Sequence, residues 1–176
     1  MLFLLFDLDG DRYALDAARI AEVLALAPTK SIPGAPAWVA GMFERHGEPV
    51  PVIDVSQLAL GRPAREFRST RLVLVRYSPY NAAAQAGTHN DPGAPAHLLG
   101  LIVERATQTR RIERAQFLDS GIATPHARWL GPVANDGVGL VQWVEVQQML
   151  NDEVNALLFP RAAPVQPSAY YLCQAT

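Results

Sequence analysis

Short apolar runs separated by turn residues are the feature of this sequence that most constrains its fold. Each run has the length of a β-strand, and the segments between the runs contain turn residues such as Gly, Pro, Asp or Asn. The runs span residues 2–8, 12–16, 38–43, 50–55, 71–77, 98–103 and 138–144. Between the first two, Asp9-Gly10 predicts a hairpin, because Gly readily adopts positive φ. The pattern predicts a mainly β chain of the antiparallel barrel or sandwich class.

Helical spacing occurs in two longer segments, and residues 56–60 suit a short helical turn ended by Gly61. In residues 17–26, Ile20 and Val23 fall on one helical face and Asp16 stands where an N-cap belongs. The second segment spans residues 145–158 and has the same apolar period. We therefore expect short helices in both segments within the mainly β fold.

Proline and glycine mark the irregular parts of the chain. Residues 78–97 are rich in Pro, Gly, Ala and Asn without an apolar period, so we expect an exposed loop there. Residues 151–159 should end the C-terminal helix, and residues 160–176 should form a flexible tail. Pro49 and Pro51 suit an edge strand, because proline cannot donate a ladder hydrogen bond.

Composition excludes several classes of protein. The 49% of hydrophobic residues and 18% of charged residues predict a packed core rather than disorder. A formal net charge of −2 argues against a nucleic-acid surface, which needs excess cations. The single cysteine, Cys173, excludes an internal disulfide and a cysteine-rich metal site. No apolar run is long enough to insert into a membrane, so we expect a cytoplasmic protein.

One motif near the start of the sequence resembles that of an enzyme class. The apolar run ending in Asp7-Leu8-Asp9-Gly10 resembles the nucleophile motif of Mg-dependent haloacid-dehalogenase-like phosphatases, with Asp7 and Asp9 as nucleophile and acid/base. The only lysine, Lys30, comes too early to bind the phosphate, and the expected alternation of strands and helices is missing. A hairpin turn explains the same residues, and the phosphatase remains the alternative function.

Other catalytic and metal patterns are weaker. Asp7, Asp9 and Asp11 have the opening spacing of a calcium loop, but Arg12 and Ala18 occupy the positions that need Gly and Glu. The four histidines do not form a zinc-binding pattern, and no phosphate-binding glycine loop is present. We therefore expect no enzyme, no metal and no cofactor.

Six stretches carry a resemblance to a known family by their order and spacing. They span residues 6–16, 20–23, 32–41, 47–55, 100–105 and 138–150. The most specific is Gly-Glu-Pro-Val-Pro-Val-Ile-Asp-Val at 47–55, which is similar to an Arg-Gly-x-x-x-Pro-Val-Ile-Asp-Leu motif. From about residue 3 to 150, the chain resembles a CheW-like domain, the adaptor module of bacterial chemosensory arrays.

The resemblance implies a fold and a role. The fold is two side-by-side five-stranded SH3-like β-barrels with short helices, approximately 1–68 and 69–150 within a 1–150 domain, with strand exchange possible. The role is non-catalytic. One surface binds the regulatory domain of a CheA-type histidine kinase, and a groove between the barrels binds the hairpin tip of a methyl-accepting chemoreceptor. The protein is then cytoplasmic and recruited to membrane-bound receptor arrays.

The resemblance also assigns candidate binding residues. The apolar receptor groove matches five positions in this sequence. They are Leu4, Ala17, Ile20, Val23 and Val103. Each of them could instead fill the core. An apolar groove with a polar rim can bind an amphipathic helical tip by burying its apolar side chains.

Three further positions are candidates for interfaces. Glu22 adjoins Val23 and is expected on the surface, and Gly41 suits a close backbone approach or a bulge. His46 stands where the family motif has Arg, while Arg45 is displaced by one position. This departure favours an accessory pathway over a swimming pathway. Surface-sensing systems with cyclic-di-GMP output and twitching-pilus systems both use such accessory adaptors, and we take the surface-sensing type as the prediction. A structural domain without a kinase partner is a third hypothesis.

Overall fold

The computed structural model describes residues 1–78 and 97–160, and strands dominate them. The strands are β1 (Leu2–Leu8), β2 (Asp11–Asp16), β3 (Ile20–Ala25), β4 (Val39–Arg45), β5 (Glu48–Asp54), β6 (Arg71–Tyr77), β7 (His97–Arg111), β8 (Leu130–Asn135) and β9 (Leu140–Val144). The α-helices of these residues are α1 (Val55–Leu60) and α2 (Asp152–Leu158). Short 3₁₀ turns also occur at Ala17–Arg19, Arg114–Gln116 and Val146–Gln148. The prediction of a mainly β chain is confirmed.

The long strand β7 belongs to two five-stranded groups. In the first group the pairing order is β3-β6-β7-β5-β4, and in the second it is β7-β1-β2-β9-β8. The strand bends at Arg105, where φ is 53° and the register against β1 shifts. The pairing does not follow the expected division near residue 68, because β1 and β2 belong to the second group and β6 belongs to the first.

Two hairpins turn through a pair of residues with positive φ. Asp9 and Gly10 have φ of 53° and 100°, and His46 and Gly47 have φ of 52° and 84°. Positive φ at both central residues is what a type I′ hairpin turn requires. Leu8 pairs with Asp11 in the first hairpin, which confirms the prediction from the Asp-Gly dipeptide.

The helix expected over residues 17–26 is wrong. Only Ala17–Arg19 forms a 3₁₀ turn, with the Asp16 carboxylate accepting from the Ala18 amide at 2.9 Å as the N-cap prediction requires. The chain then continues as β3, antiparallel to β6. A short apolar run does not distinguish a helix from a strand, and pairing with β6 satisfies its backbone groups.

The C-terminal helical segment is divided in two. Asn151 interrupts it and caps α2, with its side chain accepting from the Val154 amide at 2.9 Å. The strand β8 was not predicted, because its Gly131-Pro132 pair breaks the apolar pattern. Pro49 and Pro51 lie where β5 pairs only with β4, while the parallel pairing with β7 begins at Val52. The edge-strand prediction therefore fits half of β5.

Two predictions concern segments that are mostly or wholly outside the described residues. The expected loop at 78–97 is described only at its two ends, and the expected tail at 160–176 is described only at Pro160.

Among the described residues, three clusters of buried apolar side chains form the cores of the two groups and of the junction between them. One contains Val50, Val52 and Leu72 within the first group, and another contains Phe3, Leu5 and Val141 within the second. The third and largest joins strands of both groups, and we call it the junction core. Its members include Leu4, Phe6, Leu15, Val39, Ile53, Val73, Val103, Trp129 and Val144. Burial of these side chains stabilises the association of the two groups.

Candidate functional site: the β3–β4 surface

An ion pair joins β3 to β4 at the surface of the first group. The Arg45 Nε donates to Glu22 Oε2 at 2.6 Å, and a second guanidinium nitrogen contacts the same oxygen. The Arg45 side chain is 29% exposed and the Glu22 side chain 35%, so water still reaches both charges. We call the region formed by Glu22 and Val23 on β3 and by Arg45 and His46 at the end of β4 the β3–β4 surface; within it, the neighbouring side chains of Glu22 and Val23 point to opposite faces of β3.

The receptor-groove candidates divide between the interior and this surface. Leu4 and Val103 are 7% and 0% exposed and belong to the junction core. Ala17 and Ile20 are half-buried, and Ile20 packs against that core. Val23 is 44% exposed. The side chains of Leu4 and Val103 fill the interior, whereas Val23 is open to a partner.

The expectation that Ile20 and Val23 share a helical face is wrong. Both lie on β3, where exposure alternates along the strand, with Ile20 and Glu22 more buried than Val23. A register shift between Ile20 and Glu22 against β6 marks a bulge. Ile20 therefore borders the junction core while Val23 points outward.

Gly41 has a structural function on β4. Its φ is 134°, and a Cβ there would lie 2.7 Å from the carbonyl carbon of Lys30. The neighbouring Met42 exchanges two backbone hydrogen bonds with Lys30, of 2.9 and 2.7 Å. A bulge also separates Val39 from Gly41 in the pairing with β5. Gly41 thus permits the close backbone approach that its position in the sequence suggested.

His46 is exposed at the tip of the β4–β5 hairpin. Its φ of 52° is uncommon for a residue with a side chain, although His tolerates it better than most residues. Arg45 precedes the turn and supplies the guanidinium that pairs with Glu22. The arginine displaced by one position in the sequence therefore still provides a cation on the β3–β4 surface.

A second glutamate–arginine pair, Glu104 with Arg62, has no signal in the sequence. The Glu104 carboxylate, 3% exposed, accepts from Arg62 Nη1 at 2.6 Å, Ser56 Oγ at 3.0 Å and the Arg65 amide at 3.0 Å. Burial alone would raise the pKa of Glu104, but these hydrogen bonds outweigh it and hold the pKa below its usual value. The sequence separations are too long to suggest these contacts.

Asp54, from the most family-like motif, organises the backbone around α1. One carboxylate oxygen caps the helix by accepting from the Gln57 amide at 3.0 Å. The other accepts from the Ala64 amide at 2.8 Å, beyond the Gly61 that ends the helix. Asp54 itself is 8% exposed. This motif residue therefore builds the fold rather than a binding surface.

Asp7 and Asp9 do not form a phosphatase site. The strand β1 continues into an antiparallel hairpin, whereas that class of phosphatase needs a strand followed by a helix. Asp9 lies in the turn, 3.5 Å from Arg62. Within residues 1–78 and 97–160, no three His, Cys, Asp or Glu side chains are grouped to hold a metal ion. No helix in the same ranges has the length and apolar character needed to cross a membrane.

Comparisons with known proteins agree on one family. The family model described as the CheW-like domain matches residues 2–154. The scaffolding protein TtCheW from Thermoanaerobacter tengcongensis has a similar structure, with a TM-score of 0.68 and 18% sequence identity. The match covers 86% of this chain and 89% of that one. A search of curated protein sequences found no match.

The family match extends over nearly the whole described chain, and the structural match shows the same fold. CheW-like proteins are non-catalytic scaffolds or adaptors in chemotaxis-type signalling, so the phosphatase alternative is excluded. The chain therefore belongs to the CheW-like family.

Proposed function

We propose that this protein couples a methyl-accepting chemoreceptor to a CheA-type histidine kinase. The observation that carries the proposal is the β3–β4 surface, where exposed Val23 follows Glu22, the partner of Arg45, along β3. The family resemblance assigns the receptor groove to the junction between the two groups, and Ile20, three positions before Val23 on β3, packs against the junction core. The receptor contributes the hairpin tip of its cytoplasmic part, and the kinase contributes its regulatory domain.

The chemistry of this surface suits a helical hairpin tip. Val23 offers an apolar contact, and burial of such a contact contributes about 25 cal/mol per Å². Glu22 and Arg45 can exchange part of their mutual ion pair for polar groups on the receptor. His46 and the β4–β5 hairpin extend the same surface outward. Leu4 and Val103 remain in the junction core, and Gly41 permits the close approach of β4 to Lys30.

Substitution of Val23 tests the receptor site. Val23→Glu places a charge against a buried contact, which costs several kcal/mol, about enough to abolish micromolar binding. The fold should be unaffected because Val23 is 44% exposed. Circular dichroism melting and separate pull-downs with receptor and kinase provide the measurements. We expect an unchanged melting temperature, lost receptor binding and retained kinase binding.

A matched control is Leu140→Glu, the same change at an exposed apolar position of β9. It should leave receptor binding intact. The receptor site lies elsewhere if folded Val23→Glu still binds receptor as well as the unchanged protein does. The adaptor role itself is wrong if the unchanged protein binds neither receptor nor kinase.

The pathway is a finer part of the proposal. We propose a surface-sensing system with cyclic-di-GMP output, in which the adaptor is recruited from the cytoplasm to membrane-bound receptor arrays. Its support is the departure at His46 from the arginine of the family motif. Reconstitution with receptor and kinase should stimulate phosphoryl transfer to a response regulator that makes cyclic-di-GMP. Coupling only to a regulator that controls swimming or pilus retraction would contradict this assignment.

A further inference from the structure

A cleft opens where β7 bends between the two groups, and it shares no residue with the β3–β4 surface. Its volume is 670 Å³, and it is open to solvent along one side. It lies on the face of β1 that carries Leu5 and Asp7, opposite the face of Leu4 that enters the junction core. Its polar and aromatic lining includes Arg12, Phe67, Ser69, Arg105, Thr107 and Arg110.

In the described part of the chain, two of the three arginines in this cleft lie beside a carboxylate, and the third does not. Arg12 pairs with the buried Asp136 at 2.5 Å, and Arg110 lies 3.6 Å from the same carboxylate oxygen. Asp7 is the acidic residue of the lining. Arg105 has no carboxylate within ion-pair distance among residues 1–78 and 97–160. A chain with a net charge of −2 thus concentrates three guanidinium groups in one cleft.

Contacts with the neighbouring segment at 67–69 accompany an unfavourable backbone conformation at Arg105. Its φ of 53° lies in the left-handed region, which residues with a side chain seldom adopt. Its guanidinium carbon lies 4.9 Å from the centre of the Phe67 ring. The adjacent Ala106 amide donates to the Ser69 carbonyl at 3.0 Å, which fixes the bend. An oriented, exposed cation on strained backbone is typical of a binding site.

We propose that this cleft binds an acidic peptide segment of a partner protein. Planar guanidinium groups match carboxylates in charge and geometry, and the hydroxyls of Ser69 and Thr107 can donate to the same ligand. The open shape suits an extended chain. The donors are side chains on strands and loops rather than the row of backbone amides at a helix N-terminus that favours phosphate. None of the residues that line the cleft belongs to the β3–β4 surface proposed for the receptor.

Fluorescence anisotropy with the whole protein tests the proposal at about 0.1 M salt, where distant charges are largely screened. The probe is a labelled peptide of alternating Glu and Ser, and its matched control has Gln in place of Glu. Arg105→Gln and Arg110→Gln should each weaken binding of the Glu peptide about tenfold through loss of charge-assisted hydrogen bonds. Arg111→Gln removes the same charge from the next residue of β7, outside the lining, and should leave the affinity unchanged.

A second variant separates binding from folding. Arg105→Gly suits the positive φ, so its melting temperature should not fall, while peptide binding should weaken as in Arg105→Gln. The proposal is wrong if Arg111→Gln weakens binding as much as Arg105→Gln, or if the Gln peptide binds equally well. Displacement of the Glu peptide by an equal concentration of inorganic phosphate would also overturn it, because the cleft would then be a small-anion site.

Discussion

The two glutamate–arginine pairs of the first group differ in their surroundings. Glu104 is buried and accepts three hydrogen bonds, one of them from Arg62. Glu22 on β3 is partly exposed and contacts Arg45 on β4. The first pair connects α1 and the segment after it to β7, whereas the second lies on a face open to partners.

A glutamate–arginine pair therefore has a different role when it is buried than when it is exposed. Removing one member of a buried pair leaves an uncompensated charge, so such a pair is needed for the fold. An exposed pair contributes little to stability because water solvates both charges. The exposed Glu22–Arg45 pair is therefore the one that can be exchanged for contacts with a partner at small cost.

The largest effect should follow from Gly41→Ala, which disturbs β4, the strand that carries Arg45 of the exposed pair. The added Cβ meets the Lys30 backbone, and the positive φ is unfavourable for alanine. We expect a loss of about 4 kcal/mol in the free energy of unfolding, measured by urea denaturation. Gly47→Ala is the matched control, because φ is also positive but no atom lies within 4 Å, and it should cost about 1 kcal/mol. Equal losses for both variants would contradict the close approach at Lys30.

Breaking the buried pair should have the next largest effect. Glu104→Ala leaves Arg62 and the Ser56 hydroxyl without their shared acceptor. We expect a loss of about 3 kcal/mol, measured in the same way. Glu44→Ala on exposed β4 is the control and should change stability by less than about 0.5 kcal/mol. If Glu104→Ala also lowered the free energy of unfolding by less than about 0.5 kcal/mol, the distinction between the two pairs would be removed.

Acid should weaken the buried pair. The pKa of Glu104 is below its usual value of 4.5 in the folded protein. The unfolded chain therefore takes up this proton first as the pH falls. The stabilisation is fully present above pH 4.5 and is lost as the pH falls through the lower folded-state pKa. Urea titrations across this range should show a smaller acid-dependent loss for Glu104→Gln than for the unchanged protein. Identical pH dependence would show that Glu104 does not contribute.

The smallest effect on stability should come from the exposed pair. In a double-mutant cycle with Glu22→Gln and Arg45→Gln, we expect a coupling energy below about 1 kcal/mol. Receptor binding, measured by pull-down, should fall in both single variants although the fold is retained. A coupling energy as large as the effect of Glu104→Ala would place this pair with the structural contacts instead.

Local sequence determined much of the framework. The Asp9-Gly10 hairpin, the strand at 71–77 and the α1 turn ended by Gly61 follow from backbone preferences of a few adjacent residues. The ordered motifs from residue 6 to residue 150 also carried the family resemblance. Such features are predictable because their causes lie within a few positions of each other in the chain.

Tertiary structure decided the rest. Residues 20–25 become a strand because β6 offers a partner for their backbone groups, which no local period reveals. The exchange of β1 and β6 between groups, and the pairs Glu22–Arg45 and Glu104–Arg62, join residues that lie 23 or more positions apart. The charged cleft exists only because β7 bends at Arg105 against β1. Single-sequence patterns report local propensity, whereas these contacts depend on which distant strands share hydrogen bonds and buried surface.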